Sequence, residues 1–561
     1  MSSEPGESGP RAARSWLAGY PLRWLPSDAL AGVTLAAYAV PVGLAYASLA
    51  GLPPQAGVYG FMLGGIGYAL LGTSRQLAIG PTSAISLLVG VSIAPLAQGD
   101  PARYAGIAAL VALLVAGLAL AAFALRLANL THFISESILM GFKAGAGISI
   151  ALTQLPDALG VPGGGEGVGS RLAALGRELG QADPAVVALS LGALALLIAG
   201  ERFLPRRPVS LAVVVLGVAL TAALGLHEHG VPTVGAIPAG LPALRLPELR
   251  LEDVNALLPL AVACLLLGYI ESLSAARALA APSGEEVDAQ RELLALGGAN
   301  LAAALGQGFP VAGGLSQSVV NEEAGARSPV SLLVAAGVLG LALVFLTDSL
   351  RDLPRAVLAA IVLVSVLGLV DVRGILRLRR ASRIEFNVAM TALAGVLVLG
   401  ILRGVLLAVL ASILLLLHRL ARPHVAFLGR IPGTLRYSDL ARHPDNERIP
   451  GVLAVRVEAS LLYFNVDHVL REVTARIASQ EPPVKLVVWD LSTSPYVDLA
   501  GARMFARLSS ELAARNSELR LADAHAEVRD LLREEGLEAA VGHISRRTSV
   551  EDLIEAFQKT G

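Results

Sequence analysis

Long apolar runs dominate residues 29–420 of this chain. Many approach the length that crosses a membrane as a helix, about 20 residues, for example "YAGIAALVALLVAGLALAAFAL", "VVALSLGALALLIAG" and "GVLLAVLASILLLLHRL". Of the 561 residues, 54% are hydrophobic and only 16% are charged, whereas a soluble protein of this length would carry more charge. After Arg422 charged and apolar residues mix as in a soluble domain. The sequence therefore predicts a polytopic membrane domain followed by a soluble C-terminal domain.

Charge and side-chain chemistry argue against several classes of function. The net charge of −1 suggests no role with nucleic acid. The single cysteine, Cys264, lies in an apolar run, so we expect a small buried side chain, no intrachain disulfide and no cysteine-rich metal site. The nine histidines lie mostly in loops and the soluble end, without metal-ligand spacing such as H-x-x-x-H. We therefore predict neither an enzyme nor a cofactor or metal site.

Arginines between the apolar runs indicate the orientation of the chain. With the N-terminus inside, the basic loops before the first span and after the even-numbered spans face the cytoplasm. They contain Arg11, Arg14, Arg23, Arg75, Arg126, Arg202, Arg206, Arg207, Arg373, Arg377, Arg379, Arg380 and Arg383. The N-terminal stretch lacks the layout of a cleaved signal peptide, so we expect the first run to remain as a helix. About fourteen spans fit the length, and an even number places the C-terminal domain inside.

Two short segments interrupt the apolar pattern in a similar way. "QLAIGPTSAISLLVG" (76–90) and "GFPVAGGLSQSVVNEEAGARSP" (308–329) each enter through Gly and Pro and continue with hydroxyl residues. Such a pair is the sequence sign of an inverted-repeat transporter, whose half-helices start at the middle of the membrane. Their N-termini would offer N–H groups and positive dipole ends to an anion. Two kinked packing helices with small-residue interfaces are the alternative.

Acidic side chains occur in or near two of these membrane segments. Glu271 follows a long apolar run, and an ionisable group inside a membrane is a functional hypothesis by default. It would bind a proton or a cation that travels with an anion; alternatively, it pairs with a basic residue at a helix end. We interpret Glu322 and Glu323 as solvated or paired residues at a helix end rather than as ion-coupling groups.

Three long motifs occur in order along the chain. They are "GLAYASLAGLPPQAGVYG" with "GTSRQLAIGPTSAISLL", then "DAQRELLALGGANLAAALGQGFPVAGGLSQSVVNEEAGARSP", then "KLVVWDLSTSPYVDLAGARMFARLSSEL". The first two resemble signature blocks of the sulfate permease (SulP) family of anion transporters, and the third resembles the STAS domain that follows the membrane domain in that family. The resemblance covers nearly the whole chain.

The resemblance implies a fold and an assembly. The fold is an all-α polytopic membrane domain of about 14 transmembrane segments, a 7+7 inverted repeat like that of the uracil permeases, with a cytoplasmic α/β STAS domain. A core subdomain moves against a gate subdomain, and the chain forms a homodimer in the plasma (inner) membrane. We assign residues 1–27 to a cytoplasmic N-terminal segment, 28–422 to the transport domain, 423–450 to a linker and 451–561 to the STAS domain.

The resemblance also implies site residues. Substrate lies between the third and tenth segments, with cavity lining from the first segment and an ion-coupling acid, Glu271, on the eighth. The substrate-binding positions are Thr82, Ser83, Ala84, Leu315, Ser316, Gln317, Tyr38, Val42 and Tyr46. Many members carry glutamine at the position of Val42 and arginine at that of Gln317, so this site holds an anion with less charge. Ala275, one turn after Glu271, offers no oxygen, which favours a proton over sodium.

These features together predict a secondary active transporter of a small inorganic anion, with sulfate the first candidate, by proton symport and elevator-type alternating access. The partners are the anion, the coupled proton or sodium, and the lipid bilayer. The alternatives are a sodium-coupled bicarbonate transporter, a dicarboxylate transporter, an anion exchanger, a channel or voltage-responsive motor, and a signalling protein whose output is the STAS domain.

The soluble end alternates strand-like and helical patterns, which predicts an α/β layer. "VLAVRVEASLLYFN" and "VKLVVWDLS" are typical of strands, and "LAGARMFARLSSELAARN" and "HAEVRDLLREEG" of helices. We interpret Thr548 and Glu551 as a capping box of the last helix, and Asp498 as a helix cap rather than a nucleotide contact. Ala500 precedes Gly501 where related STAS domains carry a phosphorylated Ser or Thr, so we expect no such regulation here.

Overall fold

The computed structural model describes residues 20–128, 136–165, 167–204, 208–226, 228 and 230–560. The chain divides into two units, Met1–Ser412 and Ile413–Gly561. Most of the N-terminal segment assigned to residues 1–27 lies outside the described residues, as do Arg11, Arg14, Arg206 and Arg207.

The first unit consists of helices that follow the same order twice. We number its main helices α1 to α14, the last of which continues into the second unit. They are α1 Leu25–Leu49, α2 Gln55–Leu71, α3 Ser83–Ala97, α4 Pro101–Ala124, α5 Glu136–Leu159, α6 Pro184–Phe203, α7 Val209–Leu224, α8 Leu251–Ala280, α9 Ala289–Leu305, α10 Leu315–Glu323, α11 Val330–Phe345, α12 Arg355–Leu367, α13 Arg383–Leu399 and α14 Ile401–Ala421. Short helices at Leu22–Trp24, Val168–Glu178, Leu179–Gln181, Ala281–Ser283, Thr347–Leu350 and Val372–Ala381 complete the unit.

The repeat is visible in the order of elements. Strand β1, Ile79–Gly80, stands between α2 and the short α3, and strand β2, Ala312–Gly313, stands between α9 and the short α10. The two strands pair antiparallel, as expected when one half is inverted relative to the other. Seven helices, α1–α7, precede the second set, α8–α14, and the predicted 7+7 inverted-repeat fold is confirmed.

Helix length varies widely among these fourteen helices. By length and composition, five helical stretches of the described residues are long and apolar enough to cross a membrane, or six if one bent pair counts as a span. The shorter apolar helices include α3, α7 and α11. In α3 and α10 the helix is short because an extended strand precedes it, so each helix begins inside the unit rather than at its edge.

Small residues allow the helices to approach closely. A Cβ atom added to Gly57 of α2 would lie 1.9 Å from the carbonyl oxygen of Gly43 in α1. A Cβ atom added to Gly67 would lie 2.5 Å from the carbonyl oxygen of Gly298 in α9. Membrane helices associate through such contacts because lipid offers them no hydrophobic driving force.

The second unit is a five-stranded sheet with helices. Its strands are β3 Val425–Arg430, β4 Tyr437–Asp439, β5 Val452–Val457, β6 Leu486–Asp490 and β7 Glu518–Ala522, in the order β4-β3-β5-β6-β7. Pairing is parallel between β5, β6 and β7 and antiparallel at β3 and β4. Its helices are α15 Val466–Ala478, α16 Leu499–Ala513, α17 Ala526–Glu534, α18 Glu538–Val541 and α19 Val550–Thr560. The α/β layer predicted for this part of the chain is confirmed.

Residues 423–450, which the sequence analysis assigns to a linker, form part of the sheet of the second unit. They contain β3 and β4, and β3 pairs with β5 through four residues. The sheet therefore starts before residue 451. The physical reason is that both faces of β3 are buried, since Val425 packs into one hydrophobic cluster of the second unit and Ala426 and Leu428 pack into another.

The end of the chain corrects one capping assignment and supports another. The reciprocal cap of α19 is formed by Ser549 and Asp552, not by Thr548 and Glu551: the Ser549 hydroxyl donates to Asp552 Oδ2 at 2.7 Å, and the Asp552 N–H donates to Ser549 Oγ at 3.2 Å. Glu551 is instead buried and accepts from Arg430 at 2.9 Å. Asp498 caps α16 as predicted, accepting from the N–H of Gly501 at 2.9 Å.

The close contact between α1 and α2 gives a testable consequence. We expect Gly57→Ala to lower the thermal unfolding midpoint of the purified protein by several degrees, because the new methyl group needs the two backbones to separate. Gly117→Ala in α4 is the matched control, since a Cβ atom there meets nothing within 4 Å. Equal midpoints for the two variants would contradict this account of the packing.

Candidate functional site

The two short strands meet where two helices begin. Ile79 of β1 lies opposite Gly313 of β2, and Gly80 lies opposite Ala312. Thr82 precedes α3 and Gly314 precedes α10, both with extended backbone and neither with a side-chain hydrogen bond that caps its helix. The start of each half-helix is therefore open for another partner.

These helix starts present backbone N–H groups without an acceptor. The first intrahelical hydrogen bonds run from Ser86 N to Thr82 O at 2.9 Å and from Ser318 N to Gly314 O at 3.1 Å. Among the described residues no acceptor bonds the N–H groups that come before them, which belong to Ser83, Ala84, Ile85, Leu315, Ser316 and Gln317. Unpaired N–H groups and the positive end of the helix dipole together favour an anion.

Buried polar side chains hold the crossing of the strands in place. The Gln317 side chain is only 3% exposed, and its Nε2 donates to the carbonyl oxygens of Ala78 at 2.8 Å and Ala312 at 3.1 Å. The Ser318 hydroxyl accepts from the N–H of Ala78 at 2.9 Å, and the Ser272 hydroxyl accepts from the N–H of Gly313 at 2.8 Å. In this arrangement the Gln317 amide nitrogen stabilises the two strands instead of facing open space.

A cavity of about 670 Å³ reaches the start of α10. Its walls come from α1, α6, α7, α10 and α12, and they include four of the predicted positions, Tyr38, Val42, Leu315 and Ser316. Ser316 is exposed to this space in the first turn of α10. The predicted residues that do not line the cavity are Tyr46, Thr82, Ser83, Ala84, Gln317 and Glu271.

A second group of polar side chains lies at the start of α3. The carboxyl group of Glu271 neighbours the hydroxyl group of Thr82, and the hydroxyl group of Tyr46 neighbours those of Ser83 and Ser365. Glu271 Oε2 and Thr82 Oγ1 are buried, and neither has a hydrogen-bond partner among the described residues. Because Ser365 also lines the cavity, this group lies next to the cavity wall.

Sequence reasoning missed two charged residues inside the first unit. Lys143 of α5 acts electrostatically on Glu271, and it is a single basic residue within a membrane-length helix, which was the available signal. Glu292 of α9 is 1% exposed and accepts from the hydroxyls of Tyr68 at 3.0 Å and Thr73 at 2.6 Å. Glu292 therefore stabilises the packing of α9 near the end of α2.

Glu322 and Glu323 lie in the last turn of α10 and are exposed. This location agrees with their interpretation as residues at a helix end. Glu323 also belongs to the rim of the cavity.

The repeated order of elements and the facing half-helices define a membrane transporter of the inverted-repeat type. The model of the sulfate permease family matches residues 25–392, and the STAS domain model matches residues 443–551. The chain therefore belongs to the sulfate permease family.

Similar proteins span nearly the whole chain. The Mycobacterium tuberculosis protein named "Probable sulfate transporter Rv1739c" is 35% identical over 540 residues, covering 96% of each chain. Arabidopsis thaliana sulfate transporter 4.1, chloroplastic, is 32% identical over 568 residues, covering 96% of this chain and 81% of its own length. These relatives are transporters, which supports a function other than catalysis.

Solved structures show the same fold. The structure of SLC26A9 matches with a TM-score of 0.88 at 23% identity, covering 98% of this chain and 92% of that chain. The transmembrane domain of a cyanobacterial bicarbonate transporter, BicA, matches with a TM-score of 0.60 at 27% identity, covering 70% of this chain and 98% of that chain.

The hydrogen bonds of Gln317 predict a loss of stability on substitution. In Gln317→Leu the carbonyl oxygens of Ala78 and Ala312 lose a buried donor, and we expect the free energy of unfolding to fall by about 1–3 kcal/mol. Ser316→Ala is the control, because its exposed side chain makes no such bond and should leave stability unchanged. Thermal or denaturant unfolding of the purified protein measures both; a Gln317→Leu variant as stable as Ser316→Ala would refute the role.

Proposed function

We propose that this chain is a secondary active transporter that moves a small inorganic anion together with a proton, with sulfate as the first candidate substrate. The observation that carries the proposal is the pair of half-helix starts, α3 and α10, whose six N–H groups have no acceptor among the described residues. An oxyanion has several oxygens and can accept from both helix starts at once.

The side chains around the helix starts suit an anion. Ser316 opens to the cavity, and Thr82 and Ser83 stand at the start of α3, so hydroxyl donors accompany the N–H groups. Tyr38 and Val42 form part of the wall on α1. The relatives named as sulfate transporters support sulfate as the substrate. Bicarbonate is the second candidate, because the matched structure of BicA is that of a bicarbonate transporter.

Glu271 is the group we propose for the coupled proton. Its carboxyl group neighbours the Thr82 hydroxyl at the anion site, and its buried Oε2 has no hydrogen-bond partner in the described part of the chain. A protonated carboxyl group is neutral, so an anion nearby meets less repulsion. Ala275, one turn later, is buried and offers no oxygen, which favours a proton over sodium as the coupled ion.

We further propose the cycle and the assembly. The half-helices form a core that moves as an elevator against the remaining helices, so the site opens to each side of the membrane in turn. The core also contains the helices that pack most closely around them, α1, α2, α4, α8, α9 and α11. The chain acts as a homodimer in the plasma (inner) membrane, with its N-terminus and the STAS domain in the cytoplasm. The short helix Val372–Ala381, which holds Arg373, Arg377, Arg379 and Arg380, supports this orientation.

Proton coupling is tested with Glu271→Gln in proteoliposomes. An inward proton gradient should drive accumulation of labelled sulfate or bicarbonate by the wild-type protein. The variant should lose gradient-driven accumulation while its unfolding midpoint stays unchanged, because glutamine keeps the shape but cannot release a proton. Accumulation equal to wild type would remove Glu271 from the mechanism. The wild-type protein is tested with a panel of sulfate, bicarbonate, chloride, nitrate and dicarboxylates. If it transports none of them, the proposed function is wrong.

Steric substitution tests the location of the site. We expect Thr82→Phe and Ser316→Phe each to weaken anion binding at least tenfold, because the new ring fills the space in front of the N–H groups. Ser316→Ala is the matched control and should retain most of the affinity, since the N–H groups stay open. Anion affinity measured by calorimetry decides the matter, and normal affinity in both phenylalanine variants would contradict a site at the half-helix ends.

A further inference from the structure

Lys143 lies on the inner side of α5. Two glycines of this helix, Gly141 and Gly145, face α13: a Cβ atom on Gly141 would lie 1.9 Å from the carbonyl oxygen of Ala389, and one on Gly145 would lie 2.9 Å from the Cβ atom of Val396. Since an α-helix turns about 100° per residue, Lys143 points away from that contact by about 160–200°.

The opposite face of α5 is buried in the core of the first unit. Phe142, Ala146 and Ile150 are 3%, 0% and 0% exposed and belong to its main hydrophobic cluster. Lys143 shares this face and is half-buried. A lysine on the inner face of a membrane helix is costly and marks a pathway or a binding partner in most membrane proteins.

Lys143 has no hydrogen-bond or ion-pair partner among the described residues. The lysine acts electrostatically on Glu271, yet no ion pair within 4 Å joins the two, and no described residue accepts a hydrogen bond from the Lys143 ammonium. Glu271 Oε2 also lacks a partner. The two opposite charges therefore lie on α5 and α8, with the Glu271 carboxyl group at the start of α3 and neither group fully satisfied by the described residues.

Among the described residues, the proposed anion site has no other cation. Neither half-helix start carries a basic side chain, since α3 begins with Ser83 and α10 with Leu315. Gln317 is neutral, and its Nε2 donates to two carbonyl oxygens. An ammonium group reaching the site from α5 would complement a bound oxyanion with a full charge rather than with dipoles alone.

We propose that the Lys143 ammonium is the cationic contact of the bound anion and that Glu271 competes with the anion for it. This inference rests on the proposed function. When Glu271 is charged, it attracts the ammonium; when Glu271 is neutral, Lys143 is left for the anion. Lys143 thereby links occupancy of the anion site to the charge of Glu271.

Sulfate affinity of the purified full-length protein in nanodiscs tests the proposal, with bicarbonate, chloride and nitrate as further probes. We expect Lys143→Gln to raise the Kd at least tenfold and Lys143→Arg to change it no more than threefold, because arginine keeps the charge. Glu271→Gln should bind as tightly as wild type or more tightly. Arg380→Gln, which removes an exposed cation from the Val372–Ala381 helix, is the charge control and should bind normally.

The double variant separates an anion contact from simple charge balance. If Lys143 contacts the anion, Lys143→Gln combined with Glu271→Gln binds at least tenfold more weakly than Glu271→Gln alone, because the ammonium contact is missing although Glu271 no longer repels the anion. If Lys143 only balances Glu271, the double variant recovers the affinity of Glu271→Gln, and the proposal fails. Wild-type affinity in Lys143→Gln, or an equal loss in Lys143→Gln and Lys143→Arg, also overturns it. Absence of binding of every probe by the wild-type protein would instead overturn the proposed function, and this inference with it.

Discussion

The antiparallel contact between β1 and β2 is the interaction on which the rest of the first unit depends. Extended backbone inside a membrane is tolerated only where protein or a water-filled space satisfies its polar groups. Here the two strands form hydrogen bonds with each other. The side chains of Ser318, Ser272 and Gln317 form hydrogen bonds with backbone N–H and carbonyl groups that the strand pairing does not satisfy. Because these side chains complete the pairing, α3 and α10 can begin inside the unit with open N-termini.

The same arrangement supports the proposed anion site. An N–H group that is buried without an acceptor costs free energy comparable to a lost hydrogen bond, and the two half-helix starts have six N–H groups without an acceptor among the described residues. Binding an anion removes this cost. Strands fixed by Gln317 and Ser318 keep these N–H groups in place before the anion arrives, so little order has to be created on binding.

Much of the architecture could be predicted from the sequence because its signals are local. Gly and Pro interrupt the apolar pattern at Gly80 and Pro81 and again at Gly313 and Gly314, and the half-helices begin there. The pairing of Gln317 could not be predicted, since its acceptor Ala78 lies 239 residues away in the chain. Likewise, the cap of α19 differs by one residue because Glu551 is drawn into a contact with Arg430, also far away in the sequence.

The role proposed for Lys143 depends on the fold and could not be predicted from the sequence. On the sequence it is one lysine among apolar neighbours, with nothing nearby in the chain to suggest a partner. In the fold, the glycines of α5 pack against α13, which turns the lysine to the opposite face, where it acts electrostatically on Glu271 of α8. In the proposed site, a positive charge on α5 and a negative charge on α8 make the net charge depend on one carboxyl group. In the proposed mechanism, binding of an anion and neutralisation of Glu271 favour each other, which would couple the anion to a proton.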